Sequence, residues 1–159
     1  MQKIALCKAI TKNLKAHLRV LHDAARAAHT EATDETSKAD NKYDTRSLEA
    51  GYLAQGQARQ VRDLADAITL YEALQPRDFA ADEPIDLMAL VQLDADGTPA
   101  TYFIGPRSGG LEITCAGTTI IVITPASPLG QTLMGKTTGQ HWTTKRGGTT
   151  INYRILSVQ

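Results

Sequence analysis

Residues 30–60, TEATDETSKADNKYDTRSLEAGYLAQGQARQ, separate two long segments of helical period, and their reading decides how the first half of the chain is built. The stretch has no continuous apolar stripe. It carries six acids, Glu31, Asp34, Glu35, Asp40, Asp44 and Glu49, against Lys38, Lys42 and Arg46 between residues 31 and 49. Thr33-Asp34 and Asp40-Asn41 bring side chains that compete with helical backbone hydrogen bonds and favour caps and turns. They place a chain reversal at about residues 33–44. The stretch thus reads as the acidic tip of an antiparallel helical hairpin. A tip buries little, so packing gives it no reason to be acidic; a solvated polar turn is the plainer explanation of the same composition.

Upstream, Ile10, Leu14, Leu18, Leu21, Ala25, Ala28 and Ala32 recur at helical spacing from about residue 4 to 32. From Leu18 the steps alternate three and four, the seam of a coiled coil. Leucines give way to alanines toward the tip, and no Pro or Gly intervenes. Downstream, a second helix is expected from about 46 to 74, with Ala54, Val61, Leu64, Ile68 and Tyr71 in the same rhythm and Gln57 as its polar exception. Asp44 and Ser47 are its candidate caps. Gly51 and Gly56 each cost about 1 kcal/mol relative to Ala inside a helix, and a close contact is one reason for them. Pro76 stops the helix, because its ring and missing N–H disfavour continuation.

Residues 75–84, QPRDFAADEP, are bounded by prolines and read as a linker. Beyond them the period changes. Short strands are expected at 85–93, 101–104, 111–114, 118–124, 141–144 and 150–158. Turns are expected at 94–97, at the glycines between 105 and 117, and at Arg146-Gly147-Gly148. Residues 127–134 read as a short helix with Ser127 as N-cap and Pro128 first inside it. The expected organisation is a helical hairpin over 1–75, a linker over 76–84 and a small antiparallel β domain over 85–159, an α+β fold.

The 159 residues suffice for one ordinary domain or two small ones. Seventeen basic and seventeen acidic side chains balance, so net charge draws the protein to neither nucleic acid nor membrane. Cys7 and Cys115 lie far apart and make neither a disulfide framework nor a zinc spacing. The N-terminal residues meet Lys8, Lys12 and Lys15 without a cleavage site of small residues, unlike a secretory signal. No apolar run approaches the ~18 residues of a membrane span. A cytoplasmic protein with no membrane partner is expected. The four histidines show no ligand spacing, and no nucleophile motif or phosphate-binding glycine loop occurs; no stable metal site and no small-molecule substrate are expected. Lys8, Lys12, Lys15, Arg19 and Arg26 fall on one helical stripe with His22 in register. A solvated helix face is the common reason for such a stripe; contact with RNA or an acidic protein surface is the functional one.

The most distinctive run is Ile123-Thr124-Pro125-Ala126-Ser127-Pro128-Leu129-Gly130-Gln131-Thr132-Leu133-Met134-Gly135-Lys136, followed by Trp142-Thr143-Thr144, a glycine turn and Asn152-Tyr153-Arg154-Ile155-Leu156-Ser157-Val158. It resembles the C-terminal domain of the bacterial transcript-cleavage elongation factors of the GreA/GreB family. There a strand leads into Ser-Pro, a helix ending in Gly-Lys, and a β-hairpin. Tyr102-Phe103-Ile104-Gly105 resembles that family's tyrosine-containing strand. The resemblance covers residues 85–159 by motif and 1–75 by architecture and order. It implies a coiled-coil hairpin followed by an FKBP-like β domain. It also implies that the β domain binds bacterial RNA polymerase while the hairpin enters the secondary channel. Tip carboxylates would then help hold a Mg²⁺ of the polymerase active site. The protein would have no catalytic residues and no cofactor of its own. For Ser127, Pro128 and Gly135, helix punctuation is the preferred reading.

The tip departs from the family pattern of Gly-Asp, two residues, Glu-Asn and a nearby Tyr. This chain has Asp40-Asn41-Lys42-Tyr43-Asp44-Thr45-Arg46-Ser47-Leu48-Glu49-Ala50-Gly51-Tyr52. Asp44 and Glu49 before Tyr52 are the nearest match, and Asp40 shares a face with Asp44 if both are helical. Asp44, Asp40 and Glu49 are therefore the candidate Mg²⁺-assisting acids. Three other functions stay open: an inhibitor that occupies the channel without stimulating cleavage, an FKBP-like prolyl isomerase or chaperone, and a hairpin that binds some other protein.

Overall fold

The computed structural model describes residues 2–33, 45–80 and 82–159, with side chains at 2–27, 52–80, 82–145 and 147–159. The elements run α1 (Gln2–Thr33), α2 (Thr45–Ala73), β1 (Leu90–Ala95), β2 (Thr98–Ile104), β3 (Glu112–Cys115), β4 (Thr118–Ile123), α3 (Pro128–Leu133), β5 (His141–Arg146) and β6 (Thr149–Val158). They form two compact units, Thr11–Glu72 and Met1–Ile10 with Ala73–Gln159. The first ten residues thus group with the sheet, whereas the sequence assigned them to the hairpin.

In the helical unit the expected seam is the buried stripe. Leu14, Ala67, Ile68 and Tyr71 are buried, and Leu18, Leu21, Ala25, Gln57, Val61 and Leu64 are half-buried. Burial fades with distance from the base, as shorter side chains replace leucine. Ala54 lies outside the stripe and is exposed. Lys15 Nζ sits 2.6 Å from Glu72 Oε1, which sets the start of one helix beside the end of the other and makes the pair antiparallel. Both side chains are about half exposed, so the ion pair contributes only about 0–1 kcal/mol. Burial of the leucine and tyrosine side chains, at roughly 1.5–3 kcal/mol each, dominates.

The second unit is a six-stranded sheet of order β3-β4-β2-β1-β6-β5. It is mixed, where the sequence led to an antiparallel expectation: β2 and β4 run parallel, pairing Thr101 with Ile120 and Phe103 with Val122. A parallel pair needs a crossover, and the segment containing β3 supplies it. Of the antiparallel neighbours, β1–β2, β3–β4 and β5–β6 are joined by two-residue turns at Asp96-Gly97, Ala116-Gly117 and Gly147-Gly148, all six residues at positive φ, while β1 and β6 pair across a long sequence separation. That is the requirement of a type I′ hairpin turn. The first strand begins at Leu90 and not at Ile85. Met88 adopts φ 69°, and the backbone of Ile85 bonds to Lys136 and Gly135. Residues 85–89 are therefore core-filling loop.

Side chains alternate across the sheet. One face gathers Phe79, Ile85, Val91, Leu93, Ile104, Leu133 and Ile155 into a core under α3. On the other, Leu90, Phe103, Ile113, Ile120 and Val122 are buried. So are Leu6, Cys7 and Ile10 of α1 in the same unit, and Gln2 shares a shallow depression with Leu90, Gln92, Thr101 and Thr118.

Candidate functional site

Lys8, Lys12, Lys15, Arg19, His22 and Arg26 step along α1 by four and three residues, and all six are exposed. Lys15, Arg19, His22 and Arg26 each lie one position beyond a seam residue, about 100° around the helix, so this part of the stripe flanks the buried face. Lys15 is partly neutralised by Glu72. Within the helical unit Lys12, Lys15, Arg19, His22 and Arg26 share an exposed face of α1, and Lys8 belongs to the β unit. Of the tip acids, Asp40 and Asp44 lie outside the described residues. Glu49 falls in the first turns of α2, with its side chain likewise outside them.

The Ser-Pro element of the β unit is built as a tight strand-to-helix corner. Ser127 has extended φ and ψ, and its Oγ accepts the Gly130 N–H at 3.1 Å, an N-cap bond. The same hydroxyl donates to the Thr124 carbonyl at 2.7 Å, which also accepts the Ser127 N–H at 3.0 Å. Pro128 opens the helix, where its missing N–H costs nothing. After α3 the chain turns at Gly135, φ 77°, and bonds back to Ile85. These residues punctuate the fold, as the sequence suggested, and their polar atoms are used internally.

Beside this corner stands an aromatic group. Trp142 and Tyr153 stack with ring centroids 5.2 Å apart and 12° between planes, and Lys136 Nζ lies 5.7 Å from the Trp142 centroid. Tyr102 packs against the same core; burial, and then neighbouring Tyr153, push its hydroxyl pKa up. The Trp142–Tyr153 pair was readable in principle. A two-residue turn at 147–148 sets 142 opposite 153, as observed.

Sequence reading missed a second cluster. Lys3 is only 5% exposed. Its ammonium donates to the Arg77 carbonyl and lies 4.7 Å from the Phe79 ring centroid, while the Arg77 guanidinium carbon is 4.0 Å from the same ring. Arg77 pairs with Glu83 at 2.5 Å, and Glu83 accepts the Ala80 N–H at 3.1 Å. Phe79 itself is in the core. The proline-bounded linker is thereby wound into a compact knot around one phenylalanine. Nothing in a charged, proline-rich stretch signals which apolar residue will anchor it; position i, i+3 spacing of Lys3 before Leu6 was the one hint that Lys3 lies on the buried face.

No family model matches the chain, and no curated protein does. Solved structures do. They are Gfh1 and GreA/GreB transcription elongation factors. GreA factor homolog 1 (Gfh1) of Thermus thermophilus is 20% identical over 94% of this chain and 94% of its own, with a TM-score of 0.39. Gfh1 of Thermus aquaticus is 20% identical over 95% of this chain and 94% of its own, with a TM-score of 0.38. The elongation factor GreA/GreB from Nitrosomonas europaea is 17% identical over 60% of this chain and 78% of its own, again at 0.38.

Among the described residues, no three His, Cys, Asp or Glu side chains gather as metal ligands, and no helix is long and apolar enough to cross a membrane. The chemistry on display is that of surfaces: a cationic helix stripe, and a β unit whose polar corner is internally satisfied.

Proposed function

We propose that the chain is a transcription regulator that binds RNA polymerase through its β unit and acts through its helical pair, reaching into the secondary channel. The observation that carries this reading is the exposed Lys8–Lys12–Lys15–Arg19–Arg26 stripe on a 32-residue helix, which leads toward a segment crowded with acids. Support also comes from the Ser127–Lys136 resemblance and from the order of a helical pair before a sheet. A helix of that length spans about 48 Å, which is the reach such a role needs. The cationic flank suits transient contact with RNA phosphates, and the acidic end suits a divalent cation.

Asp40, Asp44 and Glu49 are the acids assigned to that end. Mg²⁺ prefers hard oxygen ligands and keeps several waters, so one or two carboxylates suffice to hold an ion the polymerase binds weakly. Two metals would then stabilise the attacking and leaving oxygens of phosphodiester hydrolysis. The polymerase supplies that chemistry, and this chain contributes ligands and reach. The altered acid spacing over 40–52 favours a second reading, in which the pair occupies the channel and inhibits. An RNA-cleavage assay on stalled elongation complexes tests both. Faster 3′-end cleavage on adding the protein supports the first reading. Slower nucleotide addition with unchanged cleavage supports the second. Neither effect, with no co-sedimentation with polymerase, refutes the proposal.

A further inference from the structure

We infer that the first ten residues are a strap that completes a second core of the β unit, so that this unit is discontinuous in sequence and the helical pair is an insertion into it. The consequence for polymerase rests on the reading proposed above, in which the β unit is the binding part: that part then needs the N-terminus as well as Ala73–Gln159. Residues 2–10, QKIALCKAI, carry their own pattern. Lys3, Leu6, Cys7 and Ile10 are buried, while Ile4, Ala5 and Lys8 are exposed. Steps of three, one and three put the buried four on a single stripe of α1.

The sheet needs a cover on the side away from α3. An apolar sheet face is stable only when another element packs on it. Leu133 of α3 and Phe79 of the linker fill one face, with Val91, Leu93, Ile104 and Ile155. The opposite face holds Leu90, Phe103, Ile113, Ile120 and Val122, each at most 7% exposed. They are neighbours in register: Leu90 with Phe103, Phe103 with Val122, and Ile113 with Ile120. Among the described residues of the β unit, the buried apolar side chains outside the α3 core are these five together with Leu6, Cys7 and Ile10.

Polar groups fix the strap in the same place. Gln2 lines a depression with Gln92, Thr101, Thr118 and Ser157, which come from β1, β2, β4 and β6. Register sets Gln92, Thr101 and Ser157 in one row at the polar margin of the apolar face. One residue on, Lys3 reaches the Arg77 carbonyl and the Phe79 ring. Phe79 belongs to the α3 core. Consecutive residues of the strap therefore meet the sheet on one side and the linker that seals the other core. A buried ammonium is costly unless it is bonded, which makes this tie specific to one placement of the helix start.

The test compares two leucines of α1 that match in chemistry and burial, Leu6 at 0% and Leu14 at 3% exposed. They stand on either side of the boundary between Ile10 and Thr11. Urea unfolding of the full chain is followed by two signals. Fluorescence of Trp142, the only tryptophan, reports the β unit, and far-UV circular dichroism reports chiefly α1 and α2. Leu6→Ala should lower the tryptophan midpoint by about 1–2 M, the effect of a core truncation. Leu14→Ala should leave that midpoint in place and lower the helical one. Alanine favours helix at least as well as leucine, so neither change acts through the propensity of α1. If Leu6→Ala leaves no folded baseline, Cys7→Ala, a smaller truncation on the same stripe, should move the tryptophan midpoint the same way. A tryptophan midpoint unchanged in both Leu6→Ala and Cys7→Ala overturns the inference, as does an equal shift from Leu14→Ala. No polymerase takes part, so failure here leaves the binding assignment standing, and failure of polymerase to bind the parent leaves the strap standing.

Discussion

Gly130 of α3 lies directly under the carbonyl oxygen of Thr124: a Cβ added at Gly130 would collide with that oxygen and come within 2.9 Å of both the Thr124 carbonyl carbon and Ser127 Oγ. The oxygen cannot retreat freely, because it already accepts from the Ser127 N–H and hydroxyl. Gly130→Ala must therefore break the corner or lift α3 from the sheet, and should destabilise the β unit by about 3 kcal/mol. Ser127→Ala, which removes the cap bond and the hydroxyl's bond to the Thr124 carbonyl, should cost about 1–2 kcal/mol. Urea unfolding of the two variants checks the order; a Gly130→Ala midpoint at or above that of Ser127→Ala would contradict the close approach.

The type I′ turns are not equally well made. Asp96-Gly97 and Gly147-Gly148 use residues that tolerate positive φ, but Ala116 sits at φ 51°, where a Cβ is opposed by roughly 1–2 kcal/mol. Asn is favoured at that position. Ala116→Asn should stabilise by about 0.5–1 kcal/mol, raising the midpoint in the same urea assay without changing the slope.

Gly56 offers a similar gain for a different reason. It is helical, and among the described residues nothing lies within 4 Å of a Cβ built on it. Close packing against a described residue is therefore not what places a glycine there. Gly56→Ala should add about 1 kcal/mol through helix propensity alone, seen as higher helicity and a higher melting temperature. A loss of stability would mean that the exposed surface at Gly56 meets something in the folded protein.

How much of this was legible beforehand follows from what each feature depends on. Periodicity is local, so α1, α2 and the strands from Thr98 onward were readable to within a few residues, and Ser127-Pro128 announced its own cap. Strand pairing is not local. The parallel contact of β2 with β4 depends on which apolar runs face one another across the crossover, and no residue in 101–123 encodes that. The apolar run 85–93 misled because burial, and not extension, demands those residues: Ile85 and Ala89 fill the core from a loop. Lys3 was unreadable as a buried group, since lysine is almost always exposed and its partner Arg77 is far away in sequence. For the candidate site, the α1 stripe was legible because helical spacing alone defines a face. The tip acids could be named by composition, but which of them converge depends on a reversal that spacing does not specify.

Lys3 makes the protein's stability depend on pH in a defined direction. Burial is the main cause lowering its pKa, with Asp78 acting against it. The folded state therefore releases the Lys3 proton at lower pH than the unfolded chain does. Between the lowered pKa and the ordinary 10.5, the unfolded state binds more protons, and stability from this group rises with pH. Below that window the penalty is constant. Cys7, whose pKa burial raises, works the opposite way at alkaline pH. The difference between parent and Lys3→Met removes the Cys7 contribution to first order. The parent should gain on Lys3→Met as pH rises from 8 toward 10.5. A flat or falling difference would show that Lys3 keeps its charge in the fold without cost.

The tip acids give the sharpest functional prediction. If Asp44 holds Mg²⁺ at the polymerase, Asp44→Asn keeps the volume and one carbonyl oxygen but loses the charge that retains the ion. Cleavage stimulation should fall by an order of magnitude or more, while polymerase binding, assigned to the β unit, should change little. Asp40→Asn and Glu49→Gln should share the effect to the extent that they share the ion. An inhibitor acting by occupancy depends on shape and reach, so the three neutralised acids should leave inhibition nearly intact. A merely solvated tip should show no functional change and less than about 0.5 kcal/mol in stability. The measurement is 3′-end RNA cleavage in stalled complexes, with polymerase binding recorded on the same samples. If the triple variant Asp40→Asn/Asp44→Asn/Glu49→Gln stimulates cleavage as the parent does, metal delivery by this tip is ruled out. If binding is lost together with cleavage, the helical pair and not the β unit is the main anchor.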